Sequence, residues 1–301
     1  EIVVRSTDTF EDLKRKAEVA TILGTLQSTL TNFRYVRSIW KKNTAEECLL
    51  GVSMTGIMDH PILSGKQKTG TWFDHPNMID LPNTLEKLKN VCIETNKEWA
   101  NKLGINQSTA ITCVKPSGTV SQLVDSASGI HARFSPYYIR RVRSDGKDPI
   151  SAFLINAGVP NEKDVMNNEN YVFSFPTKAP SGATCVEALD VKAQLDLWDI
   201  YQNHWCEHKP SVTIYYSDNE FLSAGQWVWD KLDTCSGISF LPRTDHVYQQ
   251  APYEAIDKAT YNKLLKEMPK SINWEELCVF EQEDSTTGTQ ELACTAGGCE
   301  I

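Results

Sequence analysis

Three absences in this chain of 301 residues exclude whole classes of protein. No run of apolar residues is long enough to span a bilayer, and no segment has the pattern of a signal peptide. A basic excess is also missing, since 30 Lys and Arg stand against 39 Asp and Glu. General nucleic-acid and membrane-surface binders show such an excess. We therefore expect a cytoplasmic protein that binds neither nucleic acid nor membrane.

The nine cysteines lack the context of a disulfide framework. Most are scattered through apolar or helical surroundings, which in a chain of this size favours reduced thiols. Cys294 and Cys299 differ, because small residues flank them and a polar stretch precedes them. This pattern predicts a flexible tail over residues 281–301 that carries a redox-active dithiol, or else an incidental pair of exposed thiols. Zinc is disfavoured, because no second Cys/His pair has matching spacing, and we expect no metal site.

Residues 110–124 lack both common nucleotide-binding fingerprints, since no Gly-Lys-Ser/Thr ends the segment and it holds a single glycine. What is present is a β-prone run, a break at 115–119 and a new apolar periodicity, which predict strand, tight turn and helix. The first backbone N–H groups of such a helix lack internal partners and favour an anion, above all a phosphate. An ordinary capped helix after a strand is the alternative.

Residues 128–143 concentrate basic and aromatic side chains in an otherwise acidic chain. This stretch predicts an electropositive patch for an anionic ligand, or else a solvated edge strand whose arginines point outward. Its basic residues are His131, Arg133, Arg140, Arg141 and Arg143. A second cluster, His204, Cys206 and His208, is interpreted as structural, because on one helix Cys206 would face away from both histidines.

Strands alternate with helices along the chain, which predicts an α/β fold with a parallel sheet or barrel. The pattern predicts a loop over 65–82. Strands are predicted at 1–5, 110–114, 171–175, 211–216 and 236–241. Helices are predicted from Asp8 or Thr9 to about Leu30, at 45–50, from Asn83 or Thr84 to Leu103, and at 148–157, 188–208, 219–232 and 252–268. The first strand begins at Glu1, without a methionine, so we expect a fragment or a processed product.

Together these motifs resemble the adenosylcobalamin-dependent (class II) ribonucleotide reductases, in particular the monomeric, triphosphate-reducing type. The resemblance covers essentially the whole chain, in several motifs that occur in the right order. The matching segments are Lys-Pro-Ser-Gly-Thr-Val-Ser at 115–121, Gly-Val-Ser-Met-Thr-Gly-Ile at 51–57, residues 128–131 with 137–143, residues 239–242 with 246–248 and 250–254, and the final Cys-x-x-x-x-Cys.

The resemblance implies that residues 1–280 form the second half of a ten-stranded α/β barrel, followed by the redox tail at 281–301. It implies adenosylcobalamin as cofactor, near His131 and Arg140. Cys294 and Cys299 would re-reduce an active-site disulfide and would themselves be reduced by a thioredoxin-like protein. The substrate phosphates of a ribonucleotide would bind at Ser117, Gly118, Thr119, Val120 and Ser121.

One family motif does not occur in the sequence. The radical-carrying cysteine lies in an Asn-Pro-Cys-x-Glu segment, which these 301 residues do not contain. We therefore expect an upstream fragment that carries the radical cysteine and the allosteric nucleotide site. The alternatives are a non-catalytic nucleotide-binding module with a redox-active tail, or a thiol–disulfide protein that acts through Cys294 and Cys299 alone.

Overall fold

The computed structural model describes residues 1–65, 76–243 and 248–281, and the backbone of two short strands near the end of the chain; for residues 76–80 it likewise describes the backbone alone. Two compact units divide the chain. The first unit comprises Glu1–Arg133 and Pro180–Arg243, and the second comprises Phe134–Ala179 and Thr244–Ile301. The predicted boundary at residue 281 stays a prediction, because residues 282–293 lie outside the described residues.

The helices and strands have the following bounds. The helices are α1 Phe10–Gln27, α2 Ser38–Glu47, α3 Pro76–Leu103, α4 Val120–Leu123, α5 Pro149–Asn156, α6 Val191–His204, α7 Phe221–Asp230, α8 Lys258–Glu267 and α9 Leu277–Phe280. The strands are β1 Ile2–Val3, β2 Met54–Thr55, β3 Tyr137–Asp145, β4 Asn161–Lys163, β5 Asn170–Lys178, β6 Thr213–Tyr216, β7 Ser239–Pro242, β8 Tyr253–Ala255, β9 Cys294–Thr295 and β10 Gly298–Cys299.

Helix α1 begins where its capping residues predict. The Thr9 hydroxyl accepts the Asp12 N–H, and the Asp12 carboxylate accepts the Thr9 N–H, so the two residues form a capping box. The helix buries Leu13, Ala17, Thr21 and Thr25 at intervals of four, which places them on one face. It ends at Gln27, three residues before the predicted end.

Helix α3 corrects the prediction of a loop over 65–82, because it begins at Pro76 and runs through Pro82. Proline cannot donate the helical hydrogen bond, which is why the sequence indicated a break there. Leu81, Leu85 and Leu88 are fully buried, so core packing outweighs the missing bond. Its end at Leu103 is as predicted.

Parallel pairing dominates the first unit. Strand β1 pairs with β2, and β6 pairs with β7. Two isolated parallel bridges, Val52 to Thr112 and Arg133 to Cys185, extend this pattern. The predicted strand at 110–114 is thus reduced to one bridge, although Val52 still donates its N–H to Ile111 and accepts that of Cys113. The unit has an α/β architecture, as predicted.

Antiparallel pairing, which the sequence did not indicate, builds the second unit. Its sheet has the order β4–β5–β3–β8, and β3 pairs with β5 from Tyr137 opposite Lys178 to Asp145 opposite Asn170. Strand β3 is therefore an inner strand, and the alternative of a solvated edge strand is wrong. The predicted helix 252–268 begins only at Lys258, because residues 253–255 form β8 against β3.

Helices α2 and α6 differ from their predicted bounds. Helix α2 spans Ser38–Glu47 rather than 45–50, with Cys48 in the left-handed conformation as its cap. Helix α6 ends at His204 rather than 208, because Trp205 and Cys206 both donate their N–H to Tyr201. No helix in the described part of the chain is long and apolar enough to cross a membrane.

Candidate functional site

The predicted phosphate segment is a loop that closes into a single helical turn. Ser117 and Ser121 are buried, and the Ser121 N–H donates to the Ser117 carbonyl over 2.7 Å. Thr119 and Val120 are exposed, and Gly118 is half-buried. The structure therefore divides the five predicted residues into two that hold the loop and three that line its outer side. Helix α4 starts where predicted but stops at Leu123.

The backbone N–H groups of Gly118, Thr119 and Val120 find no acceptor among the described residues. Three consecutive donors at a half-buried to exposed turn can converge on the oxygens of one anion, as in other backbone anion sites. The Thr119 hydroxyl lies on the same stretch and can donate a further hydrogen bond. These groups form the part of the site that is open to a ligand.

A buried hydroxyl cluster supports the loop from below. The Thr55 Oγ1 lies 2.6 Å from the Ser117 Oγ and donates to the Ala127 carbonyl over 2.9 Å. The Gly129 N–H donates to both hydroxyls, at 3.2 Å to Thr55 and 3.1 Å to Ser117. Thr55 was not predicted as a site residue. The signal available for it is the run of small residues between Gly51 and Gly56, a pattern that predicts a buried strand or turn next to a cavity and assigns no residue to a site.

Two glycines in this support are required by the backbone. Gly56 and Gly129 have φ of +83° and +52°. A Cβ at Gly56 would lie 2.4 Å from the Val4 carbonyl oxygen, and one at Gly129 would lie 2.9 Å from that of Lys115. Only glycine combines this conformation with such close approach of two chain segments.

Arg133, one cation of the predicted electropositive patch, is used inside the protein. Its Nε and Nη2 donate to the two carboxylate oxygens of Asp59, both over 2.9 Å. Its Nη1 pairs with Asp125 at 3.1 Å. Both the Arg133 and the Asp59 side chains are 4% exposed. Arg133 is therefore a buried structural cation that no external ligand reaches.

His131 is also engaged on both sides of its ring. Its Nδ1 lies 3.0 Å from the Ser128 carbonyl oxygen, and its Nε2 lies 2.9 Å from the Thr213 N–H, which fits a neutral ring protonated at Nδ1. Burial lowers the pKa of His131 to about 4. While these bonds hold, neither ring nitrogen can bind a cobalt ion.

Arg140, in the second unit, has the opposite character. Its guanidinium lies over the Tyr253 ring, 4.5 Å from the centroid. Its Nε and Nη1 are buried and have no hydrogen-bond partner among the described residues. Arg141 pairs with Glu254, although its Nε also has no partner among the described residues, and Arg143 donates to the Gln250 carbonyl. Unused guanidinium donors fit a ligand rich in oxygen acceptors, and adenosylcobalamin carries such oxygens on its amide and phosphate groups.

The second histidine cluster is structural, although not by the predicted helix geometry. His204 Nδ1 lies 2.7 Å from Glu86 Oε1, and His208 Nε2 lies 2.7 Å from the Leu50 carbonyl oxygen. Burial raises the pKa of the Cys206 thiol far above its usual range. The described residues contain no group of three or more His, Cys, Asp or Glu placed to hold a metal ion.

The two tail cysteines lie opposite each other. Strands β9 and β10 pair antiparallel, and their register places Cys299 opposite Cys294. Directly opposed residues of antiparallel strands have Cα atoms about 4.5–5.5 Å apart, a span that a disulfide can bridge. The rest of the predicted tail lies outside the described residues. The cysteines whose side chains the structure describes are reduced thiols, and Cys48, Cys92, Cys113 and Cys206 among them are buried.

The fold is similar to that of part of a solved class II ribonucleotide reductase. Superposition on the crystal structure of a B12-dependent (class II) ribonucleotide reductase gives a TM-score of 0.75 at 24% identity, over 91% of this chain and 40% of that one. No family model matches the chain.

Named relatives support the same family. The chain is 29% identical over 287 residues to the adenosylcobalamin-dependent ribonucleoside-triphosphate reductase of Lactobacillus leichmannii, which is 88% of this chain and 38% of the relative. It is also 29% identical over 259 residues to the probable adenosylcobalamin-dependent ribonucleoside-triphosphate reductase of Dictyostelium discoideum. This match covers 84% of this chain and 32% of the relative. The resemblance predicted from the motifs is confirmed, and the chain spans 32% and 38% of the length of these two relatives.

Proposed function

We propose that this chain is part of an adenosylcobalamin-dependent ribonucleoside-triphosphate reductase and binds the phosphates of its substrate. The reaction would convert ribonucleotides to 2′-deoxyribonucleotides by thiyl-radical chemistry. The observation that carries the proposal is the row of N–H groups at Gly118, Thr119 and Val120, which have no partner in the described part of the chain and lie within a motif that resembles the family's phosphate segment. A non-catalytic nucleotide-binding module has no comparable support, because the named relatives are reductases.

Each residue of the segment has a separate task in this proposal. Gly118, Thr119 and Val120 donate their N–H groups to phosphate oxygens, and the Thr119 hydroxyl adds a further bond. Ser117 and Ser121 do not contact the substrate, because they are buried and bonded within the protein. They keep the turn in the shape that directs the three N–H groups outward.

Arg140 is the residue that would hold the cofactor. Its unpartnered Nε and Nη1 would donate to an amide or phosphate oxygen of adenosylcobalamin. When bound, this cofactor supplies the radical that starts the reaction. His131, which the family resemblance places near the cofactor, would act by fixing the Thr213 backbone rather than by binding cobalt.

The parallel pairs of the first unit support its assignment to half of a ten-stranded barrel, with the flexible tail at 281–301 as a separate element. The radical cysteine and the allosteric site would then come from another part of a cytoplasmic reductase. Cys294 and Cys299 would pass electrons from a thioredoxin-like protein to the active-site disulfide by thiol–disulfide exchange. Their opposed register suits a pair that closes into a disulfide in each cycle.

The substitution Gly118→Val tests the phosphate site. Its branched side chain would crowd the N–H donors, so the Kd for a ribonucleoside triphosphate should rise about tenfold or more. Binding is measured by equilibrium dialysis on the complete reductase that contains this chain. Gly225→Val is the matched control, because Gly225 lies on α7 with open space around it, and it should leave binding unchanged. Unchanged affinity in Gly118→Val would refute the site.

The double substitution Cys294→Ser and Cys299→Ser tests the tail. Turnover with thioredoxin as sole reductant should be abolished, while a small dithiol that diffuses into the site should still support turnover. Cys278→Ser, at an exposed cysteine outside the pair, is the control and should turn over normally. Normal turnover of the double variant with thioredoxin would show that the tail is not the shuttle.

A further inference from the structure

Asp59 and Arg133 form an ion pair that is almost completely buried. The two side chains form a bidentate contact with both N–O distances at 2.9 Å, and each is 4% exposed. A buried ion pair seldom stabilises a fold more than a well-packed apolar pair of the same volume, because both charges lose their hydration. Stability alone therefore gives no reason for this pair.

The pair holds the turn that follows α4. Arg133 donates from Nη2 to the Asp125 carbonyl over 3.1 Å, and Arg5 donates to the same oxygen over 2.9 Å. Asp59 Oδ2 accepts the Ala127 N–H over 2.9 Å. Asp125 has φ of +46°, a strained conformation for a residue other than glycine. The pair therefore supplies two of the contacts that keep this turn in place, and Arg5 supplies a third.

Residues 125–129 are here named the strap. They connect this turn to the predicted phosphate segment at 117–121, here named the phosphate loop. The Ser126 N–H donates to the Ser121 carbonyl over 2.9 Å. At the other end of the loop, Ser117 donates its N–H to the Ser128 hydroxyl and accepts the Gly129 N–H. The strap therefore fixes both ends of the segment whose N–H groups are open to a ligand.

We propose that Arg133, held by Asp59, is a positioning residue that sets the direction of the phosphate-binding N–H groups through the strap. The inference rests on the proposed function of the loop. Arg133 is 5% exposed and does not touch the substrate. When the pair is lost, the strained turn at Asp125 relaxes and the three donors no longer converge. Substrate binding weakens, whereas the reaction of bound substrate, which takes place elsewhere on the nucleotide, changes little.

The double variant Asp59→Leu with Arg133→Met separates positioning from stability. It replaces the ion pair by apolar side chains, which leaves no buried charge and should keep the unfolding temperature near that of the parent. In the complete reductase, the KM for ribonucleoside triphosphate and the Kd for inorganic tripolyphosphate should rise about tenfold, with kcat nearly unchanged. Arg133→Lys, which keeps the charge but not the bidentate geometry, should raise KM as well.

The matched control is Asp199→Leu with Lys231→Met. This pair also lies in the first unit, with a distance of 2.7 Å, and joins α6 to the end of α7 without contacting the strap. It should leave KM and Kd at their parent values. A folded Asp59/Arg133 double variant that binds tripolyphosphate as tightly as the parent overturns the proposal.

A milder substitution covers the case in which the double variant fails to fold. Ser128→Ala removes only the hydroxyl that accepts the Ser117 N–H, and it should raise KM severalfold without loss of kcat. Unchanged KM in Ser128→Ala would then overturn the proposal. Gly118→Val distinguishes failure of the phosphate site from failure of the positioning role of Arg133. If it binds nucleotide normally, the phosphate site itself is wrong, whereas weakened binding there with normal binding in the strap variants refutes the positioning role alone.

Discussion

Arg133 and Arg140 lie seven positions apart in one arginine-rich stretch, in different compact units, and their hydrogen-bonding states are opposite. Arg133 donates hydrogen bonds to the carboxylates of Asp59 and Asp125. Arg140 has no partner for Nε and Nη1 among the residues that the structure describes, and its guanidinium lies over the ring of Tyr253. The difference shows that one basic stretch can contain both an internally paired arginine, here called the clamp, and an arginine whose buried donors the described residues leave unpaired.

The surroundings explain the difference. In the first unit, the clamp lies among parallel pairs and buried hydroxyls, where a carboxylate from residue 59 reaches the arginine. In the second unit, β3 is flanked by β5 and β8, and the residue opposite Arg140 on β8 is the aromatic Tyr253. An aromatic face attracts the cation but accepts few of its N–H bonds. A buried donor without a partner needs an explanation, and a bound ligand is the one that we propose for Arg140.

The largest effect should come from Arg133→Met alone. Asp59 would then remain in the core without a counter-charge, and the free energy of unfolding should fall by about 3–5 kcal/mol. Urea unfolding of this chain and of the Asp59→Leu/Arg133→Met double variant measures the difference, and the double variant should recover most of the loss. A single variant as stable as the parent would break the comparison, because Arg133 would then not be a clamp.

A second effect concerns His131, the neighbour of Arg133. Its pKa in the folded state is about 4, below the ordinary value of 6.5, so the unfolded chain binds the proton more readily. Stability from this group is complete above about pH 6.5 and is lost as the pH falls towards 4, in total on the order of 3 kcal/mol. His60 contributes in the same direction, because burial lowers its pKa as well.

The measurement for His131 is therefore a difference between two proteins. Unfolding free energies of the parent and of His131→Gln are compared at pH 7 and pH 4.5, so that the His60 contribution cancels. The parent should lose more stability than the variant over this interval. Equal losses would mean that the His131 ring is hydrated and titrates normally.

The smallest effect on stability, and the most informative, is expected for Arg140→Gln. The variant loses the contact with Tyr253 but also removes two buried donors, so stability should change by less than about 1 kcal/mol. Adenosylcobalamin affinity, followed by spectrophotometric titration of the complete reductase, should fall. A large loss of stability with normal cofactor affinity would place Arg140 with Arg133 as a structural residue.

Local patterns predicted the parts of this fold that local interactions determine. The cap at Thr9, the start of α4 and the end of α3 at Gly104 each depend on residues within one turn. Pro82 misled the prediction, because the burial of Leu81 and Leu85 depends on side chains distant in sequence. The register of β3 with β5 likewise depends on pairing across the intervening α5 and β4.

The same distinction holds within the candidate site. The position of the phosphate loop follows from the break at Pro116 and Gly118, which any short window contains. Its supports do not, because Thr55 contacts Ser117 of the loop and Asp59 contacts Ala127 of the strap, each from more than sixty positions away. The hydrogen bonding of Arg133 and Arg140 could not be predicted from the sequence either. It depends on whether the residue that packs against each arginine is the carboxylate of Asp59 or the ring of Tyr253, both distant in sequence.

The bridge between Arg133 and Cys185 has a consequence for the order in which the chain folds. Residue 133 exchanges backbone bonds with 184 and 186, and closing the intervening loop carries an entropic penalty that increases with its length. The antiparallel pair of β3 and β5 lies within that loop. If pairing proceeds from Asp145–Asn170 to Tyr137–Lys178, it brings the loop ends together first. We expect the β3 and β5 amides to gain protection before that of Arg133 in pulsed hydrogen exchange. The reverse order would mean that the bonds between residues 133 and 184–186 form before β3 and β5 pair.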